Sequence, residues 1–147
     1  MIQAAYQTGS VFFHKIYLNL YDEFDSTTIY KPLVTVTSQL TGKSKTFVVF
    51  SLFSTNKERW LECLFATTTT LSEDLDAGLV ILGTTDYPLG FYDVTIYENS
   101  SNTNLDPSGL NVVYTGLMNL YSTTSPSVTY SEYTTNDSDT ESVYITI

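Results

Sequence analysis

"GFYDVTIYENSSNTNLDPSGLNVVYTG", residues 90–116, holds two runs of strand-forming residues separated by a dozen residues that are nearly all turn formers. In the first run Tyr92, Val94 and Ile96 fall on one face of an extended chain, and Phe91, Asp93, Thr95 and Tyr97 on the other. That alternation is the mark of a half-buried strand in an antiparallel sheet, with one face on a core and one in water. The intervening loop is rich in Asn, Ser, Thr, Asp and Pro, whose side chains can bond to their own backbone and fix a long loop without apolar filling. Such a loop suits docking, and it equally suits plain strand connection. Gly90 and Gly116 border this hairpin-like unit and interrupt its second strand. Each is expected to need either a conformation or a close approach that a β-carbon would obstruct.

The same reading extends along the chain. Twelve tyrosines, eight phenylalanines and many threonines suit a pleated surface, and no stretch repeats its apolar residues at a helical period. Strands are expected at 10–21, 33–39, 45–53, 59–66, 79–82, 91–98, 111–121, 127–133 and 142–147. "VVFSLF", residues 48–53, is apolar on both faces and reads as a central strand. Turn signals fall between these runs: "TGKS" at Gly42, "STNKE" at Asn56, "DAG" before Leu79, "DYPLG" from Asp86 and "NLDPSG" from Asn104. The one helical candidate is a single turn, "LSEDLD", with Ser72 as its cap. With no segment able to serve as a crossover helix, the sequence predicts an all-β fold: an antiparallel two-sheet β-sandwich, Ig-like or jelly-roll-like. It would occupy residues 1–121. Residues 122–147 read as an acidic Ser/Thr-rich C-terminal arm, extended at first and ending in a strand.

In that terminal strand Val143, Ile145 and Ile147 alternate with Ser142, Tyr144 and Thr146. A β-branched strand with such alternation is a hazardous free edge, and it either closes the sandwich or pairs with another chain. The connection before it is far longer than the usual 4–6 residues or so of a compact domain, which favours the second choice.

Charge narrows the partners. All six basic residues lie in the first 59 positions, where they face four acids for a balance of +2; the other 88 residues carry twelve acids and no base, a balance of −12. Such a chain repels nucleic acid phosphates and anionic lipid, whose binding depends on clustered Lys and Arg. No nucleic acid and no membrane partner is expected. The acidic excess serves solubility, or complements a basic surface or cations. No run approaches the ~20 apolar residues of a membrane helix, and the start of the sequence lacks the basic flank and apolar centre of a signal peptide, so folding in a cytoplasm is expected.

Material for catalysis is scarce. The single histidine, His14, lies in "VFFHKIYLNLY" on the side of Phe12, Ile16 and Leu18 and reads as a packed structural residue. The single cysteine, Cys63, sits in the apolar run "RWLECLFA" and reads as a buried, inert thiol. There is no P-loop, no GxGxxG and no CxxC. The acidic runs "EDLD" (Glu73, Asp74, Asp76) and "DSDTE" (Asp137, Asp139, Glu141) place oxygens on alternate residues, a spacing that could bind calcium, but neither supplies an EF-hand loop and solvated turns are the favoured reading. A pair of glycosidase acids distant in sequence stays open. No catalytic residue, cofactor or metal is expected.

The stretch from Gly90 onward resembles a pattern of small virion proteins of tailed bacteriophages, particularly crAss-like and related phages. There an aromatic strand G-F/W-Y-x-x-x-I/V-Y-E precedes S-S-x-T-N-L-D-P and a late glycine. The matching residues are Gly90, Phe91, Tyr92, Ile96, Tyr97, Glu98, Ser100, Ser101, Thr103, Asn104, Leu105, Asp106, Pro107 and Gly116. Upstream, Thr41, Lys45, Phe47, Ser54, Arg59 and Phe65 are similar to the family's earlier strands. The resemblance covers residues 33–121 and, loosely, the arm. The chain departs from it at "NVVYTG", where the family carries an acid, and residues 1–32 lie outside it.

The resemblance implies a non-enzymatic virion structural protein: a capsid auxiliary or decoration protein binding the head lattice in many copies, assembled in the host bacterial cytoplasm. A head or tail fibre-base adaptor is the alternative within that class. Implied partners are the major capsid protein or other virion proteins, with self-association as a further possibility. The candidate contacts are Asn102, Asn104, Asp106 and Pro107 in the loop, and Val143, Tyr144 and Ile145 in the terminal strand. From a different class, a carbohydrate-binding β-sandwich module would stack sugars on exposed aromatic side chains.

Overall fold

The computed structural model describes residues 1–18, 31–52 and 61–124. The strands expected at 127–133 and 142–147, the acids Asp137, Asp139 and Glu141, the turn at Asn56, and Ser54 and Arg59 lie outside these residues. So do Val143, Tyr144 and Ile145.

Nine strands carry the described fold: β1 (Ile2–Tyr6), β2 (Val11–Leu18), β3 (Leu33–Ser38), β4 (Ser44–Val48), β5 (Phe50–Leu52), β6 (Leu61–Thr68), β7 (Leu79–Val80), β8 (Gly90–Tyr97) and β9 (Val112–Ser122). They form two sheets. One has the order β1-β9-β8-β3-β4; the other runs β2-β6-β5, with β7 also paired to β6. A single 3-10 turn, Leu75–Ala77, is the only helical element among the described residues. Its cap is Asp74, whose carboxylate accepts from the Ala77 amide at 3.2 Å; the expected cap Ser72 falls too early.

The period-2 pattern of the decisive stretch is realised. In β8, Tyr92, Val94 and Ile96 are all buried, whereas Phe91 and Asp93 are exposed. Directly across the two neighbouring ladders, Val34 and Val36 of β3 and Met118 and Leu120 of β9 are buried too. The second sheet supplies Ile16, Cys63 and Phe65 to the same core. Phe47 of β4 meets Phe65 of β6 with ring centroids 5.4 Å apart and planes tilted by 39°, so the aromatic contact joins the two sheets. Tilted pairs of this kind add about 0.5–1.5 kcal/mol beyond their area.

Two expectations are overturned. "VVFSLF" is not one central strand. The ladder breaks at Val49, and the chain passes from β4, an edge of the first sheet, to β5, an edge of the second. Phe47, Val48 and Val49 are buried in succession because a chain crossing between two sheets meets packing on both sides. The sheets are also mixed, not wholly antiparallel: β1 runs parallel to β9, and β7 parallel to β6. No short turn joins β1 to β9, which come from opposite ends of the described chain, so nothing local imposes an antiparallel course. β1 itself was not expected.

The two glycines follow the two alternatives posed for them. Gly90 has φ +133° with open space where a β-carbon would go, so its requirement is conformational. Gly116 has ordinary backbone, but an added β-carbon would drive into the Tyr114 ring. Replacing either by valine is expected to cost about 1–3 kcal/mol. Urea melts of both variants check this, and unchanged midpoints would make the glycines incidental.

Candidate docking surface

The loop after β8 begins with a residue the sequence did not single out. Asn99 is buried, and its side-chain amide donates to the Lys31 carbonyl at 3.0 Å and to the Ser101 carbonyl at 2.7 Å. The Lys31 amide in turn donates to the Asn99 carbonyl at 2.7 Å. The pair clamps the loop to the segment that enters β3. From there four side chains, those of Asn99, Ser101, Asn104 and Asp106, serve backbone amides two or three residues ahead. Asn99 Oδ1 accepts from Ser101, Ser101 Oγ from Thr103 and Asn104, Asn104 Oδ1 from Asp106, and Asp106 Oδ1 from Ser108. The loop closes where the Glu98 amide donates to the Asn111 carbonyl at 2.8 Å.

A run of residue types that compete with ladders for backbone groups thus builds its own scaffold. The Ser108 hydroxyl and amide hold the Asp106 carboxyl below the ordinary carboxylate range. Asn102 and Asp106 are exposed, and Asn104 and Pro107 half-buried. The four loop candidates therefore sit on one rigid segment. Asn99→Ala is expected to cost about 1–3 kcal/mol, since it leaves the part-buried Lys31 and Ser101 carbonyls without their donor, and to speed amide exchange at 101–108. Exchange as slow as in the parent would show that the clamp is dispensable.

The outer face of the five-stranded sheet is the second surface. Register places Thr46, Thr35, Thr95 and Thr115 in one row across β4, β3, β8 and β9. The Thr35 and Thr46 hydroxyls are 2.8 Å apart. The next row contains Ser44, Thr37, Asp93 and Leu117, with Gln39 donating to Asp93 at 2.8 Å. Towards the Gly90 end, exposed Phe91 lies opposite Asn119, which donates to Gln3 at 3.2 Å. Leu117 and Tyr121, both exposed, share its face by strand alternation. Register, rather than any local motif, assembles this surface. Its Phe91 end lies at the opposite end of β8 from the loop.

The single histidine and the single cysteine are both buried. Cys63 is fully buried, and burial pushes its thiol up to about 12, as the inert reading expected. His14 is buried with Nε2 3.0 Å from the Thr67 hydroxyl, and burial lowers it to about 4. Glu73 accepts from Lys45 Nζ at 2.6 Å and from the Ile81 amide at 2.9 Å, and Asp74 is the turn cap, so these two acids serve the fold. Among the described residues no three His, Cys, Asp or Glu side chains gather as a metal site. Lys45 also lies 4.3 Å from the Tyr87 ring centroid and donates to the Ile81 carbonyl, tying residues 73–87 to β4.

No protein-family model, curated protein or solved structure matches the chain.

Proposed function

We propose that the chain is a non-enzymatic structural protein of a tailed-phage particle, a capsid auxiliary protein that docks on the head lattice in many copies. The observation that carries this reading is the self-bonded loop at 99–109. Its candidate contacts are preorganised, so little conformational entropy is lost when they dock, and weak contacts multiplied over a lattice give high occupancy. The burial of the single histidine and the single cysteine supports a binding role over a catalytic one. In this reading the two sheets form a jelly-roll-like or Ig-like sandwich over residues 1–121, and 122–147 is the extended arm.

The carbohydrate reading has one observation of its own, exposed Phe91 between hydrogen-bonded amides and Asp93. Phe91 and Tyr121, exposed on the same face, are the stacking positions it would use; the loop supplies the more organised set of contacts, so the capsid reading stands first.

Copy counting by mass spectrometry of purified particles tests it. The chain is expected in dozens to hundreds of copies per head. Asn102→Ala, at an exposed position of the loop, is expected to lower incorporation while the isolated protein melts within a few degrees of the parent. A chain absent from particles, or present in a few copies at the tail, overturns the capsid assignment.

A further inference from the structure

Among the described residues, Glu62, Asp86 and Glu73 are paired with Lys15, Lys43 and Lys45, Asp74 caps the 3-10 turn and Asp106 is held by Ser108. Asp93 is placed differently. It is exposed on the outer face of β8, and the donor on its carboxylate is the neutral Gln39 side-chain amide at 2.8 Å. Phe91, two residues earlier, shares that face about 7 Å away along the strand, and it too is exposed. Gln39 fixes both positions: its backbone amide donates to the Phe91 carbonyl at 3.0 Å while its side chain holds Asp93. Exposed Tyr121 is the diagonal neighbour of Phe91, two residues beyond the Asn119 that faces it across the ladder, and such a diagonal is within reach of an aromatic side chain. Exposed Leu117 lies directly across from Asp93.

The chemistry of the group that fits here follows from the neighbours. A purely apolar ligand would use the rings and leave the carboxylate to lose its water. A neutral sugar could bond to the carboxylate without using its charge. A simple cation would use the charge alone, and an exposed ion pair by itself contributes little. A guanidinium uses everything on the face, because it lies flat on an aromatic ring while its N–H fork reaches a carboxylate. The formal charge of −10 on the whole chain also draws cationic groups towards the molecule.

We propose that the face formed by Phe91, Asp93, Leu117 and Tyr121 docks an arginine side chain on a basic segment of a partner protein. The guanidinium stacks on Phe91 and bonds to Asp93, while Leu117 and Tyr121 pack against its apolar stem. Gln39 holds the ring and the carboxylate in register before the partner arrives, which lowers the ordering cost of docking. Because Phe91 stands at the opposite end of β8 from the loop at 99–109, both surfaces can be engaged at once. This inference does not depend on the phage reading.

The test uses the full-length, isotopically labelled chain, titrated with capped peptides of equal length in which glycine alternates with arginine, with lysine or with glutamate. The arginine peptide is expected to shift the amides at 91–93 and 117–121, to bind more tightly than the lysine peptide, and to weaken as salt is raised. The glutamate peptide is expected to leave those amides in place. Phe91→Ala and Asp93→Asn, both at exposed positions, are each expected to weaken the arginine peptide about threefold or more while melting close to the parent. Unchanged affinity in Asp93→Asn, or shifts confined to other acidic positions, overturns the proposal. So does a neutral oligosaccharide such as cellohexaose moving the same amides when the arginine peptide does not. Concentration-dependent shifts of these amides in the chain alone would make the face a contact between copies, and that result overturns it as well.

Discussion

Gly83→Ala is expected to lower stability by about 2–4 kcal/mol, more than any other glycine replacement in the chain. Two costs coincide there. Gly83 has φ +79°, a left-handed backbone that costs a non-glycine residue about 1–2 kcal/mol. The turn cannot relax easily, because the Gly83 and Thr84 amides both donate to the Tyr87 carbonyl, at 2.7 and 3.0 Å. A β-carbon at this position would also enter the Tyr6 ring, which packs against the core. Overpacking of this kind costs about 1–3 kcal/mol. Tyr6→Leu separates the two terms. In a double-mutant cycle the second substitution should recover the packing part and leave the backbone part. Additive effects would mean that the ring moves aside freely and only the backbone matters.

Gly83 also marks the limit of what the sequence discloses. Nothing in "VILGTTDYPLG" points to Tyr6, because the contact joins a turn to the strand at the other end of the sheet. The strands whose alternation is complete within themselves were legible: β8, with Tyr92, Val94 and Ile96 inward, and β2, with His14 and Ile16 inward. β1 was missed because "IQAAY" has two alanines at its centre and no aromatic alternation, so its strand character comes from pairing with β9. "VVFSLF" misled because burial on both faces has two causes, a central strand or a passage between sheets. Only the tertiary course of the chain separates them.

The loop was the most legible part of the candidate surface. Its residue types carry their own bonding rule, and Ser101, Asn104 and Asp106 obey it. Asn99 escaped notice because its decisive partner, Lys31, is 68 positions away. The threonine row across four strands was invisible for the same reason. Each member is an ordinary strand threonine, and only register aligns them.

Acid is expected to weaken the protein through His14, by about 3 kcal/mol between pH 7 and pH 4. The hydrogen-bond order fixes the proton. The Thr67 hydroxyl donates to the Ala5 carbonyl at 3.0 Å, so its oxygen accepts from His14 Nε2, and the ring is neutral with the proton on that nitrogen. Burial lowers the imidazole from 6.5 to about 4, with the Ala5 carbonyl opposing the shift. The native state therefore takes up its proton at lower pH than the unfolded chain. Above pH 7 neither state is protonated and the full stability is present. As pH falls through 6.5 the unfolded chain gains a proton that the native state refuses, and each unit costs about 1.4 kcal/mol until the native imidazole also titrates near pH 4. Ordinary carboxylates remain largely ionised above pH 5, so the upper part of the window belongs to the histidine. Urea melts at pH 7.5, 6.0 and 5.0 should show this slope in the parent. His14→Gln, which can still donate to Thr67, should be flat over the same range even if less stable at pH 7.5. A slope that survives in His14→Gln would place the acid sensitivity elsewhere, and a parent without slope would mean that β1, β2 and β6 open around the ring to admit a proton at its ordinary pKa.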